Sequence, residues 1–261
     1  MSHVVVNRLS HTFTSRKEKL EVLDELSFEV FPTEVVTILG PSGCGKSTLL
    51  RCLAGLLVPS EGTIEIDGQS PDILRQKKEL GFGFQEPSLM DWRTVEDNIS
   101  LPAELGIQDG ALSELKLRID DMLNLIRMTN FRRHYPPQLS AGMKHRTALA
   151  RALILEPKIL LLDEPLAGLD LLTRRELMGQ ITTLLERQKC TTVIVTHSVE
   201  EAVFWGDRVI LLTHRPASIV QIIEHHGQRP RKLAYAESME FHHLVDRCSD
   251  LILGLSKSNH E

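Results

Sequence analysis

Short runs of β-branched and aliphatic residues, bounded by turn formers, recur at positions 4–6, 35–39, 63–66, 159–162, 191–195 and 209–212. Several are continuously apolar, the pattern of strands buried on both faces of a mostly parallel sheet whose crossovers are helices. Between positions 95 and 150 this signal stops, and Leu115, Ile119, Met122, Leu123 and Ile126 recur at helical spacing. That stretch is expected to be a helical insertion in an α/β core. Near the end, Phe241, Leu244, Val245, Cys248, Leu251, Ile252 and Leu255 form the apolar face of an amphipathic helix, packed on the core or offered to a partner. The segment Arg229-Pro230-Arg231-Lys232 reads as the connector into it.

Length and composition narrow this picture. The chain has 261 residues, enough for one large α/β domain or two small ones. A formal net charge of −5 argues against a dedicated nucleic-acid surface, so nucleic acid is not an expected partner. The longest apolar runs fall far short of the roughly 20 residues that a membrane-spanning helix needs. The opening residues lack the basic-then-apolar pattern of a secretory signal, so the protein is expected to stay where it is made. Cys44, Cys52, Cys190 and Cys248 lack the close spacing of a zinc knuckle or redox pair and are expected to be reduced thiols.

The run VVTIL leads directly into Gly40-Pro41-Ser42-Gly43-Cys44-Gly45-Lys46-Ser47-Thr48, after which LLRCLAGLL reads as a helix. Strand, glycine-rich turn and helix are the context a phosphate loop requires. Glycines let backbone NH groups turn inward around a phosphate while the helix directs its positive end at the same anion. Lys46 supplies a point charge, the Ser47 hydroxyl is placed for magnesium, and Thr48 adds a hydrogen bond. Cys44 reads as a variable position of the loop. Alone, this pattern admits kinases, GTPases, helicases and many ATPases.

Two further features narrow the choice. In KILLLDE an apolar run terminates in Asp163 and Glu164, at the carboxyl end of a buried strand where ligands sit in open α/β sheets. Glu164 is the candidate general base, against the alternative of a surface acid or a cap for the turn at Pro165. Earlier, Leu139-Ser140-Ala141-Gly142-Met143 forms a turn from which KHRTALARAL continues as a helix, so unpaired NH groups face outward at a helix start.

Together these stretches resemble the ATP-binding cassette ATPases, the motor subunits of ABC transporters, over nearly the whole chain. The resemblance implies a P-loop NTPase (RecA-like) core with a mostly parallel sheet, an antiparallel β subdomain and a helical subdomain. Its expected bounds are 1–85 and 155–261 for the core with the β subdomain and 86–154 for the helical subdomain. It implies ATP with Mg2+, hydrolysed in a head-to-tail homodimer.

Residue by residue, Asp163 matches the Walker B aspartate that holds magnesium, and Gln85 in GFGFQEPSLMDW matches the Q-loop glutamine, whose amide reaches magnesium or the attacking water. His197, ending TTVIVTH, matches the H-loop histidine on the γ-phosphate. Phe13 falls near the A-loop aromatic that stacks on adenine, with core packing as the rival reading. Ser140, Ala141 and Gly142 match the signature, usually LSGGQ, which contacts the γ-phosphate held by the opposite subunit. Asp170 matches the D-loop aspartate at the junction of subunits.

Three departures stand out. Ala141 replaces a glycine; a position needing positive φ or close phosphate approach would make the methyl costly, whereas helical geometry would make it harmless. Ser198 replaces an aspartate, and Ser198-Val199-Glu200-Glu201 still fits a capping box. Ala167 and Gly168 alter the usual D-loop order.

FQEPSLMDWRTVEDNISLPAELGI, the methionine of LSAGM and THSVEEAVFWGDRVILLTHRPASI resemble the nitrate, sulfonate and taurine importer branch. That branch implies transmembrane permease partners, a periplasmic or extracellular solute-binding protein acting indirectly, a small anionic cargo, and a place on the cytoplasmic face of the inner membrane. A regulatory ABC subunit with weak turnover and a non-transport ABC ATPase are the alternatives. Leu89, Met90 and Trp92 read as core packing or as part of a permease docking surface. Arg132-Arg133-His134 reads as a solvated face, and His225-His226 and His242-His243 lack the acids or cysteines of a metal site.

Overall fold

The computed structural model describes residues 3–15, 18–105, 112–225, 227 and 229–257, and within them backbone pairing sorts the strands into two sheets. In chain order, β1 (Val4–Thr14), β2 (Lys19–Val30) and β3 (Val35–Leu39) precede helix α1 (Lys46–Leu53). There follow β4 (Glu61–Ile66), α2 (Pro71–Gln76), β5 (Leu80–Gly83), α3 (Val95–Glu104), α4 (Leu112–Leu125) and α5 (Ala141–Leu153). The remainder comprises β6 (Ile159–Asp163), α6 (Leu171–Gln188), β7 (Thr191–Thr196), α7 (Val199–Trp205), β8 (Arg208–Leu212), β9 (Ile219–Glu224) and α8 (Met239–Lys257).

The larger sheet has the order β5-β6-β7-β3-β8-β9, parallel throughout except for the antiparallel edge strand β9. Every residue of β3, β6 and β7 is buried. The two-residue period of a strand explains why these runs are continuously apolar. Val35, Leu39, Leu160, Leu162 and Ile194 enter one hydrophobic cluster, while Val36, Ile38, Ile159, Leu161, Val193 and Val195 enter another on the opposite face. Each such side chain contributes roughly 1.5–3 kcal/mol by leaving water.

The smaller sheet, β2-β1-β4, is antiparallel and lies over the second cluster together with α1. Positions 4–6 and 63–66 therefore belong here and not to the parallel sheet. β2 escapes the apolar-run pattern because its burial alternates, and β5 because half of its LGFG sequence is glycine. The two sheets are stitched where Leu23 bridges Ala217, with Ala217 N donating to Val22 O and Asp24 N to Ala217 O, both at 2.9 Å.

The expected helical stretch is α3, α4 and α5. Ile119, Met122, Leu123 and Ile126 are buried, with Leu115 partly so. Arg132 is no solvated residue: it pairs with Glu96 at 2.6 Å and with Asp120 at 2.6 Å, joining α3 to α4. Arg151 on α5 donates to Pro87 O at 2.8 Å and Ser88 O at 2.9 Å, anchoring the loop after β5.

α8 packs its apolar face on α7 through the fully buried Cys248 and nearly buried Phe241, while the side chain of Leu255 lies outside those described. The connector is anchored: Arg229 pairs with Asp207 at 3.2 Å, and the buried Arg231 donates to Phe204 O at 3.2 Å. His225 is buried against Tyr235, whose hydroxyl lies 2.6 Å from its Nε2; His226 lies outside the described residues.

Candidate functional site

Adjacent strands of the large sheet end together, and the expected catalytic residues follow those ends. The loop after β3 turns through positions 40–45 into α1. Its last glycine, Gly45, has φ 124°, and a Cβ there would come within 2.8 Å of Val22 Cγ1, so glycine alone allows this approach to β2. Lys46 is buried and its Nζ donates to the carbonyls of Gly40 at 2.8 Å and Pro41 at 2.9 Å, which holds the ammonium over the loop. Ser42 and Gly43 form the exposed crest.

No side chain caps α1, so its first amides and positive end are directed at the loop's own concavity. Cys44 points inward, and burial pushes its thiol pKa up, which keeps it protonated and packed.

Ser47 Oγ donates to Asp163 Oδ1 at 2.9 Å, joining the start of α1 to the end of β6. Burial pushes the Asp163 carboxyl pKa up, against the pull of the Ser47 hydrogen bond. A hydroxyl and a carboxylate converging on one point are hard oxygen donors of the kind magnesium takes. Glu164, next in sequence, has φ 43° and donates its backbone NH to Val195 O at 2.9 Å. A left-handed backbone costs a non-glycine residue roughly 1–2 kcal/mol, and here it turns the carboxylate toward the loop. Glu164 Oε2 accepts from Gln85 Nε2 at 3.4 Å and stands 3.0 Å from His197 Nδ1. Gln85, Glu164 and His197 follow β5, β6 and β7, three neighbouring strands, so sheet order converts three distant sequence motifs into one contact set.

Thr48, Lys46, Ser47 and Glu164 line a cleft of about 240 Å³ together with Phe13, Leu20, Val22 and Arg215. Phe13 is 43% exposed and meets His11 edge to face, which favours a surface open to a ligand over core packing. Leu20, Val22 and Arg215 carry no local motif; their place here depends on the stitch between the two sheets.

The signature stands apart from this cluster. No hydrogen bond or ion pair among the described residues joins positions 140–142 to the phosphate loop. Ser140 is the N-cap of α5, accepting from Met143 N at 3.3 Å, and Ala141 takes helical geometry as the first residue of that helix. Of the two readings of Ala141, the harmless one holds for the chain's own backbone. Gly142 is the position without room: a Cβ there would lie 2.5 Å from Thr173 Cγ2 on α6. Asp170 caps α6, accepting from Leu172 N and Thr173 N at 3.1 Å each, and its bonds to Thr173 hold its carboxyl pKa below the usual range.

Two local expectations change. Ser198 caps α7 through Glu201 N at 3.4 Å, but the capping box is half formed, because buried Glu201 turns inward to accept from Thr196 Oγ1 at 2.6 Å. Trp92 is 75% exposed and so is not core, while Leu89 and Met90 are half-buried.

The sequence profile of the family described as ABC transporter matches residues 23–167. The chain is 38% identical over 228 residues, 87% of this chain and 88% of the relative, to the aliphatic sulfonates import ATP-binding protein SsuB of Bacillus thuringiensis subsp. konkukian (strain 97-27). It is 41% identical over 235 residues to the nitrate import ATP-binding protein NrtC of Synechococcus elongatus (strain ATCC 33912 / PCC 7942 / FACHB-805), covering 88% of this chain and 34% of that protein. Among solved structures, the dimeric post-hydrolysis state of the ATP-binding cassette MJ0796 bound to ADP and Pi superposes with a TM-score of 0.75 at 30% identity, covering 86% of this chain and 100% of that one.

Proposed function

Because this chain belongs to the ABC transporter family, as an ATP-binding and ATP-hydrolysing subunit, we propose that it powers import of a small anionic solute of the sulfonate or nitrate class. One observation carries the catalytic assignment: Glu164 Oε2 lies between Gln85 and His197 beside the Ser47–Asp163 pair. Glu164 is the general base that takes a proton from the attacking water, and His197 and Gln85 hold its carboxylate and the water in line. Lys46, the loop amides of positions 40–45 and Thr48 bind the phosphates, and Phe13 stacks on the base. Ser47, Asp163 and Gln85 would hold Mg2+, which when bound offsets charge on the phosphate oxygens. This contact set favours turnover over a purely regulatory subunit.

The signature residues Ser140, Ala141 and Gly142 serve the ATP of a second copy in a head-to-tail dimer, with Asp170 at the junction. Positions 1–85 and 155–261 form the core with its β subdomain and 86–154 the helical subdomain. Exposed Trp92 belongs to the face toward the permease. No helix among the described residues is long and apolar enough to cross a membrane, which fits a peripheral subunit bound to permease subunits on the cytoplasmic face. A solute-binding protein acts through that permease.

The test is reconstitution with a permease and solute-binding protein of the sulfonate or nitrate importer class. MgATP hydrolysis that rises on assembly, with ATP-dependent uptake of an alkanesulfonate or nitrate, is the expected result. Hydrolysis indifferent to the permease, with no uptake of either anion, overturns the importer reading.

A further inference from the structure

The turn between β8 and β9 brings a charged side chain, Arg215, to the nucleotide cleft. The stitch at Leu23 and Ala217 holds this turn on β2 beside Val22, and Val22 also packs against Gly45 of the phosphate loop. Within the turn, Thr213 Oγ1 accepts from Ser218 N at 2.8 Å and Thr213 N donates to Ser218 O at 2.9 Å, closing it from inside. Arg215 projects from the closed turn as an exposed residue and lines the same cleft as Phe13, Val22, Lys46 and Thr48. Among the described residues it makes no hydrogen bond and no ion pair. Most other arginines near the large sheet are engaged, Arg208 with Glu34 and Arg229 with Asp207 among them.

An unpaired guanidinium at the mouth of a phosphate site is a ready anion ligand, since its planar donors suit phosphate oxygens. Lys46 is held over the loop crest, where the β- and γ-phosphates belong. Arg215 instead belongs to the turn stitched to β2 and lines the cleft together with Phe13. We propose that Arg215 is a second cation of the ATP site, contacting the α-phosphate side of the nucleotide and so favouring ATP and ADP alike. This rests on the nucleotide-binding assignment above. The turn thereby joins the small sheet, the large sheet and the ligand at one residue.

The experiment compares MgATP and MgADP affinity by titration calorimetry in the wild type and in Arg215→Ala, Arg215→Lys and Arg215→Glu. The alanine variant should lose about tenfold for both nucleotides, as expected for one exposed charge-assisted contact, with the loss falling on KM for ATP more than on kcat. The glutamate variant should lose more, the lysine variant should recover most of the affinity, and raising salt should narrow the gap between wild type and alanine. Alanine affinity within twofold of wild type overturns the assignment, and so does a lysine variant as weak as alanine, because charge would then not be what binds. A wild-type protein that binds no MgATP sinks the nucleotide reading itself; equal binding by wild type and alanine sinks only Arg215.

Discussion

The phosphate-loop face and the signature face of this chain differ in how complete they are. At the first, side chains from four neighbouring strand ends already touch: Ser47 with Asp163, Lys46 with Gly40 and Pro41, and Glu164 with Gln85 and His197. At the second, the Ser140 hydroxyl accepts from its own helix, Gly142 packs on α6, and the start of α5 is exposed. One face is assembled by the sheet; the other is a rigid corner, which the proposed function assigns to the ATP of a second copy. Packing explains the difference. Strand ends converge because the sheet core is buried on both faces, whereas α5 is positioned by contacts behind it, through Gly142 against Thr173 and Arg151 against the loop after β5.

The largest way to break this contrast is at the assembled face. Glu164→Gln keeps the shape of the carboxylate and its contact with Gln85 but removes the proposed base. Steady-state MgATP hydrolysis should fall by roughly 10²–10⁴-fold, the range for loss of a general base, while ATP binding persists. An ATP-bound dimer should then accumulate on size exclusion, because closure no longer ends in hydrolysis. Turnover at the wild-type rate would remove Glu164 from that role and leave His197 and Gln85 without a centre.

Gly142→Ala attacks the other face. Its new methyl would approach Thr173 Cγ2 to 2.5 Å, and Thr173 also donates its backbone NH to Asp170. Overpacking of this kind costs roughly 1–3 kcal/mol, so thermal unfolding should move down, and ATP-dependent dimerisation should weaken because the shift reaches the cap of α6. Thr173→Ser in the same chain clears the Cγ2 atom and should restore both. A Gly142→Ala protein with unchanged melting and unchanged dimerisation would mean that the signature corner yields freely, against its description as rigid.

Much of this is legible in the sequence, for a physical reason. Phosphate binding needs glycines at fixed spacing, and acids at strand ends follow an apolar run, so Gly40 to Thr48, Asp163 and Glu164 announce themselves. Gln85 and His197 were readable only through the family's motifs, since a lone glutamine or histidine after a strand has many uses. Arg151, Arg132, Leu20, Val22 and Arg215 were not readable at all. Arg132 and Arg151 find partners only once α3, α4, α5 and the loop after β5 pack together, and Leu20, Val22 and Arg215 reach the cleft only through the stitch between sheets. Capping chemistry misled at Glu201, where the local box lost to a buried bond with Thr196.

Glu201 offers a smaller test on the assembled face, through its bond to Thr196 next to His197. It is buried, and desolvation raises its carboxyl pKa despite the Thr196 hydrogen bond and Arg174. Its folded pKa lies above its unfolded one, so its stabilising contribution is full below the unfolded carboxyl range and is lost as pH rises through the folded value. Glu201→Gln stays neutral throughout. The melting temperature of the variant relative to wild type should therefore climb over the interval that begins at the ordinary carboxyl range, about pH 4, and extends upward from it. A difference that is flat across that interval would show that Glu201 titrates alike in both states.

The smallest expected effect falls where the sequence departs most visibly from its family. Ala141 stands at the first position of α5 with helical geometry, one residue past the Ser140 cap and exposed. Nothing in that backbone needs glycine, and alanine is the better helix former by up to about 1 kcal/mol in a helix interior, less at the first turn. Ala141→Gly should therefore leave MgATP turnover within about twofold and lower the melting temperature slightly, because glycine has more freedom to lose on folding. A large rise in turnover or in ATP-dependent dimerisation would place the methyl against the partner's phosphate and show that the outward corner is tuned by a single carbon. With turnover unchanged, the two glycine positions of the signature separate: the second is required by packing within the chain, and the first is free to be alanine.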